Sequence, residues 1–253
     1  MYFDSHAHYN DERFDGDRET LLPALHEQHK VSYIMNVGYD LESSRQAVLL
    51  AKKYPFVYAS AGIHPHDAEG IQEGDYACIE ELLREDKVKA IGETGLDYHY
   101  DNSPREVQKQ AFDTHLRLAE KWNMPVIIHE RDATKDVLDL LKTYHGEGVF
   151  HCFSGSVETA REVLDRGLYL SFAGPVTFKN ARRQQETAAY VPKDRFLIET
   201  DCPYMAPEPF RGRRNDSSFV YLMAEKIARL KGISKEEAAA LSMANAKRLF
   251  RIE

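Results

Sequence analysis

The sequence predicts an α/β fold in which eight short parallel strands alternate with helices. Short apolar segments recur along the chain, and stretches with the helical spacing of apolar residues separate them. Alternation of this kind is typical of parallel βα units. Eight units are the number that closes a barrel of the TIM type, the (β/α)8 fold, and chains of about 250 residues commonly form one. We therefore predict a single barrel domain over residues 1–253.

An open, doubly wound sheet is the alternative architecture. Sheets of that kind that bind dinucleotides carry a glycine-rich fingerprint directly after the first strand. No such fingerprint follows the first predicted strand, and no low-complexity linker or shift in composition divides the chain. The barrel with one domain is the favoured interpretation.

The predicted strands are short apolar runs bounded by residues that break regular structure. The second strand, for example, stops at Gly38, and Pro125 immediately precedes the fifth. In chain order the strands are the run that begins at Tyr2, then Val31–Val37, Phe56–Ile63, Val88–Ile91, Val126–His129, Gly148–His151, Leu168–Phe172 and Phe196–Asp201.

The predicted helices lie between these strands, and several have clear end signals. Pro55 ends the helix predicted over Asp40–Tyr54, because proline cannot continue a helix. Ser234 followed by Glu237 is a capping-box pattern at the start of the last of two closing helices. The remaining helices are predicted at Arg18–His29, Tyr76–Glu85, Pro104–Trp122, Asp132–Tyr144, Val157–Arg166 and Ala181–Tyr190.

Composition narrows the class of protein. No run approaches the ~18 apolar residues that a membrane span requires, so we expect no membrane association. Three cysteines make no disulfide framework and no secretory leader precedes the first strand, which together predict a cytoplasmic protein. A formal net charge of −8 argues against a basic surface that coats nucleic acid, but it is compatible with an enzyme that contacts a few phosphates. No obligate protein partner is evident.

The first eight residues, Met1-Tyr-Phe-Asp-Ser-His-Ala-His8, contain a possible metal-binding motif. His6 and His8 stand two residues apart at the end of the first predicted strand. Because side chains alternate along a strand, residues at i and i+2 share one face. The two imidazoles can then bind one ion, and imidazole suits zinc, iron, nickel and similar metals. A pair of surface histidines is the alternative interpretation of this short motif.

Other residues of metal-ligand type lie at the ends of further predicted strands. In TIM-type enzymes the carboxyl ends of the strands carry the chemistry. Each residue alone has a structural explanation, such as a helix cap or a buried core histidine, but their shared position favours a site. The predicted metal ligands are His6, His8, Glu93, His129, His151 and Asp201.

This set predicts a centre with two metal ions. Four imidazoles and two carboxylates exceed the needs of one tetrahedral ion, and they fit two ions about 3.5–4 Å apart with a bridging carboxylate. Glu93 is the predicted bridge. Such ions lower the pKa of a bound water and hold the oxygens of a phosphoryl transfer. Asp201 is predicted to bind one ion and to act as the general base toward that water, so Glu93 and Asp201 are the predicted catalytic residues.

A set of motifs in one order resembles the TatD family of metal-dependent deoxyribonucleases, which are amidohydrolase-like metal barrels. The motifs are His6-Ala-His8, Gly62-Ile-His-Pro-His66, Gly92-Glu-Thr-Gly-Leu-Asp97, His129 with Arg131, His151-Cys-Phe-Ser-Gly155, Glu199-Thr-Asp-Cys-Pro203, Pro209-Phe-Arg-Gly-Arg-Arg-Asn215 and Asn245-Ala-Lys-Arg-Leu-Phe250. The resemblance runs the full length of the chain without a departure at any motif position. It implies the TIM fold and the six ligands named above.

The resemblance also implies the substrate and the cofactors. DNA is the implied partner, with a role in DNA repair or degradation, and we predict a 3'-5' exonuclease activity on single-stranded ends. Two divalent cations are implied, magnesium or manganese in activity, while the histidines also fit zinc, nickel or iron. His64, His66 and Arg131 flank the predicted metals and are the candidate substrate-binding residues.

Two other functions stay open at this point. A related barrel can hydrolyse a small amide, ester or lactone, because fold and metals do not fix the substrate. Such barrels often bridge their metals with a modified lysine after the fourth strand, whereas this chain has Glu93 there. The third possibility is a binding or scaffold protein with a structural metal, whose ligand shell would be closed.

Overall fold

The computed structural model describes residues 1–253, in which eight strands alternate with helices and two helices close the chain. The strands are β1 (Tyr2–Ala7), β2 (Val31–Val37), β3 (Val57–Ala61), β4 (Val88–Asp97), β5 (Val126–Arg131), β6 (Gly148–Phe150), β7 (Tyr169–Phe172) and β8 (Phe196–Ile198). The helices are α1 (Arg18–Glu27), α2 (Leu41–Lys53), α3 (Asp75–Leu82), α4 (Arg105–Trp122), α5 (Thr134–Leu140), α6 (Val157–Asp165), α7 (Arg182–Tyr190), α8 (Val220–Lys231) and α9 (Lys235–Phe250).

The strands form one eight-stranded sheet in the sequential order β1 to β8. The neighbouring pairs β1–β2, β3–β4, β4–β5, β5–β6 and β7–β8 are parallel. Ala7 at the end of β1 also pairs in parallel with Cys202, shortly after β8. The chain just after the last strand is therefore paired with the end of the first strand. The prediction of a TIM-type (β/α)8 fold is confirmed.

The chain divides into two compact units. We call residues 1–36 with 151–253 the terminal unit, and residues 37–150 the central unit. The prediction of one domain over residues 1–253 stays a prediction. No helix is both long and apolar enough to cross a membrane.

In the terminal unit, the closing helices pack on the first and last strands. Phe3 of β1 and Phe250 of α9 are both buried, with ring centres 6.0 Å apart. Asn245 of α9 is buried, and its amide nitrogen donates hydrogen bonds to the carbonyl groups of Lys193 and Phe196. These bonds hold α9 at the start of β8, which agrees with a packing or capping role for Asn245.

In the central unit, the predicted end of the fourth strand at Ile91 is wrong, because β4 continues to Asp97. Its second half pairs with β5, with Gly95 opposite His129 and Asp97 opposite Arg131. A Cβ atom on Gly95 would lie 2.0 Å from the His129 carbonyl oxygen, so glycine permits the close approach of the two strands there. Glu93 consequently lies inside a strand rather than beyond its end.

Two further predicted boundaries are wrong for local reasons. β8 ends at Ile198 rather than Asp201, since the Thr200 amide donates to the Asp4 carboxylate and Asp201 has a left-handed backbone with φ 57°. α5 spans Thr134–Leu140 rather than Asp132–Tyr144, and it begins late because Asp132 has φ 54°, which is incompatible with a right-handed helix.

Candidate metal centre

The terminal unit contains a cluster of His6, His8 and Asp201. The Nε2 atoms of His6 and His8 lie 3.0 Å apart, and Asp201 Oδ1 lies 3.8 Å from the first and 3.5 Å from the second. His6 lies in β1 and His8 directly follows it, and their i, i+2 spacing brings the two imidazoles together, as the sequence predicts. The Asp201 amide donates to the His6 carbonyl oxygen at 2.9 Å, which fixes the position of the carboxylate after β8.

His151 lies beside this cluster, directly after β6. Its ring stacks on that of His6 with centres 4.1 Å apart and an angle of 15° between the planes. Its Nδ1 atom lies 3.7 Å from Oε1 of Glu199, and the same Glu199 oxygen accepts a hydrogen bond of 2.6 Å from the Cys152 amide. Glu199 is buried and therefore places a carboxylate against both the His151 ring and the adjacent main chain.

The histidines keep the Asp201 carboxylate ionised. Burial alone would raise the pKa of Asp201, but the hydrogen bond with His8 and the charges of His6 and His151 outweigh burial. The pKa of Asp201 therefore lies below its ordinary value. An ionised carboxylate can bind a cation or accept a proton, which are the two roles predicted for this residue.

Asp4 lies on β1 two residues before His6 and supports the loop after β8. Its carboxylate accepts hydrogen bonds from the Thr200 amide at 2.9 Å and from the hydroxyls of Thr200 and Ser217 at 2.5 Å. Burial raises the pKa of Asp4 to about 7 in spite of these bonds. Asn215 completes the network by donating to the Thr200 carbonyl oxygen at 2.8 Å. The backbone next to Asp201 is thus held from two directions.

The central unit contains a second cluster, formed by His64, Glu93 and His129. Glu93 Oε1 lies 3.0 Å from His129 Nδ1 and 3.6 Å from His64 Nε2. The Glu93 amide donates to the Gly38 carbonyl oxygen at 2.6 Å, which fixes the residue within β4. This cluster repeats the donor set of the terminal unit, namely two imidazoles and one carboxylate.

Asp97 orients two histidines of the central unit. Its Oδ2 atom accepts hydrogen bonds of 3.0 Å from the Nε2 atoms of His129 and His66, and its Oδ1 atom accepts from the amides of His99 and Tyr100 at 2.9 Å. Burial acts to raise the pKa of Asp97, but these bonds, above all that from His129, outweigh it and hold the pKa well below its usual range. Carboxylates commonly fix the ring of a metal-binding histidine in this way.

The donor geometry in both units fits divalent cations. Because His129 donates through Nε2 to Asp97, a neutral His129 presents an unprotonated Nδ1 toward Glu93 at 3.0 Å. Two acceptor atoms at this distance repel each other unless a cation or a proton lies between them. In each cluster the three ligand atoms lie within 4.8 Å of one another. Two imidazoles and one carboxylate are a set found in catalytic zinc and non-haem iron sites.

The structure brings most of the predicted site residues into these clusters. His6, His8 and Asp201 meet in the terminal unit with His151 stacked beside them, and Glu93 and His129 meet in the central unit. His64, predicted to contact substrate, shares the cluster with Glu93. His66 is bound to Asp97, and the guanidinium carbon of Arg131 lies 4.8 Å from the ring centre of Tyr100.

Three carboxylates beside the clusters have no role in the sequence-based prediction: Asp4, Asp97 and Glu199. The spacing in the sequence contained a signal for all three. Asp97 and Glu199 each stand an even number of residues from a predicted ligand, Glu93 and Asp201, so strand alternation favours the same face. Asp4 is likewise two residues before His6, but the partners that hold it are distant in sequence.

Comparison with known proteins identifies the family. The family model described as TatD related DNase matches residues 3–251. The chain is 49% identical over 255 residues to YabD of Bacillus subtilis, named an uncharacterized metal-dependent hydrolase, and the match covers 100% of both chains. It is 36% identical over 259 residues to a Cronobacter sakazakii protein named 3'-5' ssDNA/RNA exonuclease TatD, which covers 98% of this chain and 97% of that protein.

A solved structure agrees with this assignment. The TatD homologue YjjV of Escherichia coli K12 superposes with a TM-score of 0.94 and 28% sequence identity, covering 100% of this chain and 98% of that one. The fold, the paired donor sets and the match to the family model therefore agree. The chain belongs to the TatD-related DNase family and is a metal-dependent hydrolase.

Proposed function

We propose that this hydrolase cleaves phosphodiester bonds of DNA as a 3'-5' exonuclease on single-stranded ends. The observation that carries the proposal is the repeated donor set, with two imidazoles and one carboxylate in each unit of the chain. Membership of the TatD-related DNase family and the name of the Cronobacter sakazakii relative support nucleic acid as the substrate.

The proposed cofactors are two divalent cations, magnesium or manganese in activity, with zinc, nickel or iron as alternatives. His6, His8 and Asp201 would hold one ion, and His64, Glu93 and His129 the other. The bridging role of Glu93 and the ligand role of His151 stay predictions. Bound divalent ions supply Lewis-acid polarisation of the phosphodiester and a lowered pKa of the attacking water.

The side chains of this protein would carry the remaining steps. Asp201, whose lowered pKa keeps it ionised, would accept the proton of the attacking water. Arg131 and His66 are the proposed phosphate contacts, since a guanidinium forms strong charge-assisted bonds to phosphate oxygens. His66 is held by Asp97 at 3.0 Å, so its ring has a defined orientation toward a substrate.

The test is degradation of single-stranded oligonucleotides labelled at either end. Metal-stripped protein is assayed with added Mg²⁺ or Mn²⁺, together with Glu93→Gln and Asp201→Asn, which each remove one carboxylate charge from a different cluster. Asp139→Asn is the matched control, because Asp139 is a half-exposed carboxylate, outside both clusters, that pairs with Lys135 and Lys142. We expect metal-dependent shortening from the 3' end in wild type and the control, and its loss in both cluster variants.

Two results would contradict the proposal. Shortening that persists in Glu93→Gln and Asp201→Asn would separate the activity from the clusters. Absence of cleavage with every metal, in protein that binds two ions by calorimetry, would favour a small amide, ester or lactone, which the same preparation can be assayed for. The cytoplasmic location and the absence of an obligate protein partner stay predictions.

A further inference from the structure

Two tyrosines beside the clusters are exposed although their rings are held firmly. Tyr204 is 42% exposed and Tyr100 is 56% exposed. Tyr204 belongs to the terminal unit and its ring centre lies 6.1 Å from that of His8. Tyr100 belongs to the central unit and its ring centre lies 5.4 Å from that of His66. Each unit therefore presents one large aromatic side chain next to a histidine of its candidate site.

Tyr204 is held in place by hydrogen bonds at its side chain and its main chain. Its hydroxyl donates to Asp11 Oδ2 at 3.0 Å, and its carbonyl oxygen accepts from Asn215 at 2.7 Å. The guanidinium carbon of Arg13 lies 4.1 Å from the ring centre, and Arg13 is itself bound to both oxygens of Asp11 at 3.0 Å. A ring anchored in this way loses little conformational entropy when a flat ligand binds to it.

Tyr100 in the central unit is held through its main-chain amide and through contacts of its ring. Its amide donates to Asp97 at 2.9 Å, the carboxylate that also holds His66 and His129. The guanidinium carbon of Arg131 lies 4.8 Å from its ring centre. The position of Tyr100 is thus linked through Asp97 to the cluster, while more than half of its surface stays open to solvent.

The packing of arginine on tyrosine has a simpler explanation, in which the rings only cover the arginine side chains. That explanation accounts for the cation–π contacts, but it does not explain why both tyrosines lie beside a candidate site. An exposed, rigid ring with an arginine at its side is the combination that binds unpaired nucleobases, by stacking and by charge. Tyr190 shows the contrast, since it is also 42% exposed but ends α7 and contacts Arg161.

We infer that Tyr204 and Tyr100 are stacking platforms for the unpaired bases of a single-stranded nucleic acid. This inference rests on the proposed function and adds the means of holding the strand. Stacking on the base faces would add binding energy that does not come from charge, which matters for a chain with a net charge of −8.

The test compares a thymidine oligonucleotide with an abasic oligonucleotide of the same length, which keeps the phosphates and lacks the bases. Tyr204→Ala and Tyr100→Ala are expected to lower kcat/KM on the thymidine oligonucleotide by about 5- to 140-fold, mainly through KM. Neither variant should change cleavage of the abasic oligonucleotide, which also serves as a check on folding. Tyr204→Phe and Tyr100→Phe should retain most of the preference for bases, and Tyr190→Ala should match wild type.

Equal losses on both oligonucleotides, or no loss on either, would overturn the inference while leaving the nuclease activity established. A binding assay with a 2-aminopurine oligonucleotide separates this failure from failure of the proposed function, because it requires no turnover. Quenching by wild type that is lost in the alanine variants supports the platforms even if no cleavage occurs. Absence of quenching by wild type would overturn them whatever the cleavage assay shows.

Discussion

The buried histidine of α4 gives a quantitative prediction about stability. His115 is fully buried in the central unit, where its Nε2 accepts a hydrogen bond of 3.1 Å from the Ile63 amide. Its Nδ1 lies 2.7 Å from the Ala111 carbonyl oxygen and therefore carries the proton. If Nε2 were protonated, its N–H group would face the N–H group of Ile63, and the two donors would repel each other. Burial accordingly lowers the pKa of His115 from 6.5 to about 4.

A lowered pKa makes folding stability depend on pH in a defined direction. Above about pH 6.5 His115 is neutral in both the folded and the unfolded state, so it does not change the free energy of unfolding. Below that pH the unfolded chain binds a proton that the folded chain excludes. Stability is therefore lost as the pH falls from about 6.5 toward 4. With ~1.36 kcal/mol per pKa unit, the loss from His115 between about pH 7.5 and pH 4.5 is about 2.5 kcal/mol.

The assay is urea unfolding followed by circular dichroism at both pH values, with metal removed by a chelator so that metal binding does not contribute. His115→Gln keeps an amide that can reach the Ile63 amide but does not titrate. We expect the free energy of unfolding of wild type to fall by about 2.5 kcal/mol more than that of the variant over this pH interval. An equal fall in the two proteins would refute the assignment of a neutral, buried His115.

Two further predictions concern the groups that support the clusters. Glu199→Ala removes the carboxylate beside His151, which also accepts a hydrogen bond from the Cys152 amide. The affinity of the terminal unit for Mn²⁺, measured by calorimetry, should therefore fall about 10- to 100-fold. An unchanged affinity would contradict a supporting role for Glu199. Gly95→Ala should destabilise the protein by more than the ~1–3 kcal/mol of backbone strain, because its Cβ would also collide with the His129 carbonyl oxygen. Gly212→Ala is the control, since φ there is 87° with no atom within 4 Å of the added Cβ, and equal melting temperatures in the two variants would disprove the clash.

The sequence determined the fold class and the residue types of the candidate site. Alternating apolar strands and helices are enough to predict parallel βα units, since both patterns reflect burial on one face of a regular element. The i, i+2 spacing of His6, in β1, and His8, directly after it, likewise predicted that both imidazoles lie on one face, and the structure has their Nε2 atoms 3.0 Å apart. Local periodicity carries this information because it depends only on backbone geometry.

Other features depended on contacts between segments that are far apart in the chain. β4 runs through two glycines to Asp97 because β5 approaches it closely at Gly95, although glycine in isolation signals the end of a strand. The pairing of His129 with Asp97 fixes which ring nitrogen faces Glu93, and no spacing rule contains that information.

The contacts made by the supporting carboxylates were decided by tertiary structure. Asp4 holds Thr200 across 196 positions of sequence, and Glu199 contacts Cys152 across 47. A buried carboxylate is stable only where several donors converge on it, and those donors come from elements that the fold assembles. The sequence thus determined which residues could bind metal. The three-dimensional packing decided how each of these side chains is oriented, how the carboxylates of the candidate site titrate and which aromatic rings stay exposed beside that site.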